Sequence, residues 1–251
     1  MSYSTDRASP SPVATIAVAA GLALAGLFVG LLLGIISISL VSAVVPLPAN
    51  SPERNAVALI AQGIGLVAVA GLYMDRHDLS WSYLRISKPT LRDLGFAVLA
   101  TIVLFGALAL ASVVIEQLGL TTTEHSVAQS AEENPAALLP LIPLSILITG
   151  PTEELLFRGV IQTRLREALD SDGGAVVVAA AVFSLVHVPA YGLTSGFGTA
   201  LLTTLAVLFL LGSLLGAAYE YTGNLLVPII AHGIYNAIVF GSNYLEAIGA
   251  F

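Results

Sequence analysis

Residues 13–45 read VATIAVAAGLALAGLFVGLLLGIISISLVSAVV, an apolar run without one charged side chain, closed by Pro46-Leu47-Pro48. At 1.5 Å per residue such a helix is about 50 Å long, more than the roughly 30 Å hydrocarbon core of a bilayer. It also far exceeds the roughly 7–15-residue apolar region of a cleaved leader, so it reads as a retained membrane helix that tilts, kinks or protrudes. Six further apolar segments follow: Ala56–Tyr73, Leu94–Ile115, Ala136–Gly150, Ala175–Val188, Thr199–Tyr221 and Leu225–Tyr244. The Ala136 segment runs through Pro151-Thr152 into Glu153–Arg158 and is expected to be interrupted there, which a membrane tolerates only where the backbone faces protein or a water-filled cavity. The expected fold is all-α, a polytopic transmembrane bundle of about seven to eight membrane helices.

Composition agrees. Of 251 residues, 57% are hydrophobic and 10% charged, against about 25% charged in a soluble domain. The chain cannot cover a water-facing surface with polar groups. Net charge is −7 and Lys88 is the single lysine, so a basic face for nucleic acid is missing. With no cysteine, disulfides, thiolate metal sites and a cysteine nucleophile are excluded.

Positive charge orients the bundle. Arg76, Arg85, Lys88 and Arg92 lie between the second and third segments, Arg7 precedes the first, and Arg164 and Arg166 follow the fourth. With seven spans these fall on one side, taken as cytoplasmic. Gly119–Pro135 carries Glu124, Glu132 and Glu133 and no basic residue, which fits the outer side. The expectation is a multi-pass protein of the cell membrane, N-terminus in the cytoplasm, with its active site toward the cytoplasmic side. Trp81 and Tyr83 mark an interfacial piece before Pro89. No internal repeat supports an inverted-repeat transporter.

Three polar clusters interrupt the apolar C-terminal half: Glu153-Glu154-Leu155-Leu156-Phe157-Arg158, Phe183-Ser184-Leu185-Val186-His187, and His232-Gly233-Ile234-Tyr235-Asn236. An ionisable group at membrane depth costs roughly 2.5–3.5 kcal/mol on insertion scales and marks a functional site by default. Adjacent Glu153 and Glu154 point about 100° apart on a helix. Arg158, four residues after Glu154, is expected to hold it and leave Glu153 free to act as a base. His187 shares a face with Phe183, and His232 with Asn236. One Glu and one His can deprotonate a water, while a second His and an amide stabilise an oxyanion. The bland reading of each residue is a solvated charge, a core histidine or a helix-packing amide. His77 and His125 lie in loops and need no such explanation.

Glu153, His187 and His232 are also a candidate donor set for Zn2+ with one open position, although the HExxH helix is missing. Ser184 near His187 has no third triad member and no G-x-S-x-G elbow.

The order E-E-x-x-x-R, F-x-x-x-H, H-x-x-x-N on successive membrane helices resembles the CPBP intramembrane proteases, also called the Abi family, which include the type II CAAX prenyl endopeptidases. The resemblance covers roughly residues 140–240. It implies a hydrolase in which Glu153 and His187 activate water and His232 and Asn236 form the oxyanion hole, with Glu154 and Arg158 as the accompanying pair. It implies a membrane-embedded or lipidated peptide substrate, a prenylated CAAX tail in some members. The family is grouped with the metalloproteases, and a zinc-free glutamate mechanism has been argued for some members. On this reading residues 1–251 form one membrane domain, with N-terminal membrane helices over 1–135 and the catalytic core over 136–245. A non-catalytic immunity or scaffold protein, or a small transporter, using the same residues to hold helices together is the alternative. Hydrolysis of a lipid ester is a third reading.

Overall fold

The computed structural model describes residues 11–123 and 133–250, side chains at 193–195 excepted. Arg7, Glu124, His125 and Glu132, which bear on the sequence reading, lie outside the described residues. Eight helices are used below: α1 (Pro12–Ser42), α2 (Pro52–Arg76), α3 (Leu91–Gln117), α4 (Pro135–Leu169), α5 (Asp172–Val186), α6 (Val188–Ser195), α7 (Thr199–Thr222) and α8 (Leu226–Ala247). Local chemistry sets their ends. Pro12 and Pro52 occupy first turns, where a missing N–H costs nothing. Thr90 and Asp93 form a reciprocal capping box at α3, and Ser171 caps α5 through the Gly174 N–H. Gly223, with φ +64°, closes α7 in the left-handed conformation.

Seven spans among the described residues are long and apolar enough to cross a membrane, α5 and the start of α6 forming one of them. No strand occurs among the described residues. The protein is an all-α, multi-pass membrane bundle, as expected.

The bundle packs as lipid-embedded helices do, with small residues inside. The buried line of α1 is Thr15, Ala19, Ala23, Gly26, Gly30 and Gly34, while Leu24, Phe28 and Ile35 are exposed. A Cβ on Gly65 would stand 2.6 Å from the Gly30 Cα, so α1 and α2 touch backbone to backbone.

Hydrogen bonds tie together each end of the bundle. At one end the α2–α3 link forms a 3-10 turn over Trp81–Leu84. It is shorter than an amphipathic helix, with Trp81 outward and Leu84 buried. Tyr219 Oη donates to the Leu84 carbonyl at 3.2 Å, the Leu225 N–H to the Arg85 carbonyl at 3.1 Å, and Tyr83 Oη to Glu167 at 3.3 Å. Burial, with the Glu167 carboxylate beside it, pushes the Tyr83 phenol well above its usual range. At the other end Asn134 Nδ2 donates to the Asn50 carbonyl at 2.8 Å, and the Thr123 N–H donates to Thr204 Oγ1 at 2.8 Å.

Candidate active site

The glutamate pair sits in the middle of α4, and α4 is not a plain α-helix. The expected interruption takes the form of wide turns: π geometry over Ser145–Thr149 and Leu155–Gln162 flanks one α-helical turn, Gly150–Glu154. Pro151 has no N–H to give and crowds the carbonyl four residues back. The wide turn immediately before it makes room, and the chain stays helical. Such π segments cluster at functional sites.

Gly150 and Gly233 bring α4 and α8 together. A Cβ on Gly150 would lie 2.7 Å from the Ile229 carbonyl oxygen and 3.0 Å from the Gly233 nitrogen, and a Cβ on Gly233 would lie 2.9 Å from the Ile146 Cα. Only at this separation does His232 reach α4.

It reaches Glu154. His232 Nδ1 donates to Glu154 Oε1 at 2.7 Å. Arg158 Nε lies 3.2 Å from Glu154 Oε2, within ion-pair range but out of line for a hydrogen bond, so Oε2 and Arg158 Nη1 have no hydrogen-bond partner among the described residues. Arg158 Nη2 donates to the Gly212 carbonyl at 3.0 Å, and its guanidinium carbon stands 4.8 Å from the centre of the Phe183 ring. Glu154 and Arg158 are buried. The expected pairing of Glu154 with Arg158 is present.

Glu153 is half-buried and forms no hydrogen bond or ion pair with the described residues. It lines a cavity of about 1130 Å³ with His187, His232 and Asn236, whereas Glu154 and Arg158 do not line it. His187 Nδ1 is 2.6 Å from the Phe183 carbonyl. A carbonyl only accepts, so Nδ1 carries the proton and the neutral ring keeps a lone pair on Nε2. His232 gives its Nδ1 proton to Glu154, so its Nε2 donates only when the ring is doubly protonated.

Phe183 belongs to the F-x-x-x-H pattern, whereas Gln162, Gly212, Gly216 and Glu220 were not singled out from the sequence. Phe183 packs on Phe157, His187 and His232 at ring-centre distances of 5.1, 4.6 and 6.2 Å. Gln162, one turn beyond Arg158, donates to the Gly216 carbonyl at 3.0 Å and to Glu220 at 2.9 Å. Glu220 also pairs with Arg85 at 2.9 Å and Arg166 at 3.5 Å. Arg158, Gln162 and Arg166 thus meet Gly212, Gly216 and Glu220 as two matching rows on α4 and α7. The signal was the G-x-x-x-G at Gly212–Gly216 in an apolar helix. Ser184 donates to the Leu205 carbonyl at 2.6 Å, a helix–helix tie. His77 caps α2, 2.8 Å from the Tyr73 carbonyl.

The zinc set does not assemble. Among the described residues no three His, Asp or Glu side chains form a group that could hold a metal ion. The donors present do not fit a three-ligand zinc site.

The sequence analysis expects the site toward the basic end of the bundle. The cavity lining extends to Thr123, beyond the end of α3, to Thr204 on α7 and to Glu246 on α8. These lie toward the end held by the Thr123–Thr204 contact, opposite the 3-10 turn and its arginines. His232 lies six residues inside the basic end of α8, about 9 Å.

Residues 135–238 match the family model for Rce1-like type II CAAX prenyl endopeptidases. This segment resembles that family. It runs from the start of α4 into α8 and contains Glu153, Glu154, Arg158, His187, His232 and Asn236. An uncharacterized protein of Bacillus subtilis (strain 168), YpbD, is 34% identical over 100 residues, 40% of this chain and 44% of that relative. The match therefore spans less than half of the relative's length. No solved structure matches. The description of that family is of an endopeptidase.

Proposed function

We propose that the chain is an intramembrane endopeptidase that hydrolyses a peptide bond of a membrane-associated substrate, with Glu153 and His187 activating the water. The observation that carries this reading is the division within the glutamate pair. Glu154 is locked behind the site by Arg158 and His232, while Glu153 faces the cavity beside His187, His232 and Asn236.

Glu153 and the free Nε2 of His187 take a proton from water as its oxygen attacks the carbonyl carbon. His232 Nε2, in the doubly protonated ring whose Nδ1–H is held by Glu154, and the Asn236 amide donate to the oxyanion. On collapse the C–N bond breaks, and the proton held by the Glu153–His187 pair passes to the leaving amine. Leu27, Leu31, Leu104 and Leu108 line the same cavity and suit an apolar peptide stretch or a lipidated residue.

The alternative is a non-catalytic membrane protein. The Glu154–Arg158–Gly212 and Gln162–Glu220 ties favour it, since they hold helices together whether or not chemistry occurs. Mapping protein termini in membranes from cells carrying wild type or Glu153→Gln decides between them. Termini present only with wild type support the protease and name its substrates. Identical termini at equal abundance of both proteins favour the alternative.

A further inference from the structure

Gln62 is the one polar side chain between Val57 and Leu72, in the middle of α2. A polar group at membrane depth is expensive and calls for a reason. The ordinary reason is a hydrogen bond to a neighbouring helix. Gln62 is half-buried, yet its carboxamide forms no hydrogen bond with the described residues. It also lies outside residues 135–238, so the family resemblance has no bearing on it.

Packing fixes where Gln62 stands. A Cβ on Gly30 would lie 3.2 Å from both Cα and Cγ of Gln62, so α1 packs against the stem of the side chain. A Cβ on the next residue, Gly63, would lie 3.3 Å from Thr152 Cγ2. Here α2 meets α4 one residue before Glu153. Gln62 lines the same cavity as Glu153, and the other lining residues of α1 and α2 are Ala23, Leu27, Leu31, Leu59 and Leu66. On that wall Gln62 is the only hydrogen-bonding side chain.

A peptide bond cut inside a bundle of membrane helices sets a demand that leucines cannot meet. The segment around the bond must unwind before its carbonyl can be attacked, and hydrocarbon gives the freed main-chain N–H and C=O groups no partner. A carboxamide carries one carbonyl acceptor and an NH2 donor side by side, the complement of a peptide main chain.

We propose that Gln62 is a substrate-binding residue of the site. Its NH2 donates to a main-chain carbonyl of an unwound, apolar peptide segment, and its carbonyl accepts from a main-chain N–H, which holds the segment beside Glu153. Gln62 thus recognises backbone, while the leucines around it take apolar side chains. That the held segment is then cleaved rests on the protease reading; the binding does not.

The test is peptide binding to the full-length protein in lipid nanodiscs, with Glu153→Gln as the parent so that no turnover intervenes. The probe is a fluorescently labelled, end-blocked decapeptide of alternating Leu and Ala. Gln62→Leu makes the wall wholly apolar, so binding by apolar contact alone would tighten. The expected result is the opposite: about tenfold weaker binding, the loss of two hydrogen bonds, with a melting temperature equal to or above that of the parent. Equal or tighter binding, or no binding to the parent, overturns the inference. So does a lowered melting temperature, which would make Gln62 a helix-packing residue. A fully N-methylated decapeptide, which has no main-chain donor to offer, probes the same contact without altering the protein further. It should lose more affinity for the parent than for Gln62→Leu, and equal losses overturn the inference. None of these readouts uses cleavage, so a protein that binds the peptide but cuts nothing sinks the protease reading and leaves this result standing.

Discussion

His232 Nδ1 and Glu154 Oε1 are 2.7 Å apart, joining α8 to α4 across 78 residues of sequence. The second of two adjacent glutamates is thereby committed to structure. Its other oxygen faces Arg158, which continues to the Gly212 carbonyl on α7. Three helices are fastened at one carboxylate, while its neighbour Glu153 is left facing the cavity.

The two glutamates should therefore fail differently. Glu153→Gln is expected to lower cleavage by at least about 10²-fold, the usual contribution of a positioned base, and to leave stability within about 0.5 kcal/mol of wild type. Glu154→Ala strands a buried guanidinium and an imidazole, a loss of about 3–5 kcal/mol. Thermal melts in detergent, run beside a cleavage assay, check both. Equal destabilisation by the two changes would contradict the division of roles.

Asn236 is half-buried in the cavity wall four residues beyond His232. If its amide donates only to the developing oxyanion, Asn236→Ala should reduce kcat by about 10²–10³-fold with little change in KM. A KM effect with unchanged kcat would instead make Asn236 a substrate-binding residue.

The zinc question has a direct readout. Because Glu153, His187 and His232 do not converge into a three-ligand cluster, a strong zinc chelator is expected to leave the cleavage rate unchanged. Inhibition by the chelator that is reversed by added Zn2+ would overturn this geometry.

The helices were legible because each apolar run carries its own stop signals: the expected Thr199–Tyr221 forms as Thr199–Thr222, ended by Gly223. The Glu154–Arg158 pair was legible because it is local, four residues on one helix. The His232–Glu154 contact was not, since it depends on how closely α4 and α8 approach, and two glycines 83 residues apart decide that. Nor were the π turns, which arise from the way the backbone accommodates Pro151 rather than from periodicity. Nor was the cavity legible. Charge in loops reports which end faces the cytoplasm, but where space remains between helices depends on side chains such as Leu84 and Leu225 filling one end.

Gly150 supplies the most demanding test of this packing. A methyl group there would press on the Ile229 carbonyl oxygen at 2.7 Å and on the Gly233 backbone at 3.0 Å. Neither is a flexible side chain that can swing aside, so α8 must move. Overpacking of this kind costs about 1–3 kcal/mol. The movement would also draw His232 away from Glu154, since both lie within one turn of the contact. Gly150→Ala is accordingly expected to lower the melting temperature and to reduce cleavage further than the loss of folded protein explains. Gly106 on α3 is the control: among the described residues its Cβ would meet nothing within 4 Å, and Gly106→Ala should be neutral or slightly stabilising through helix propensity. Equal melting temperatures for the two variants would mean that the α4–α8 approach does not hold the site together.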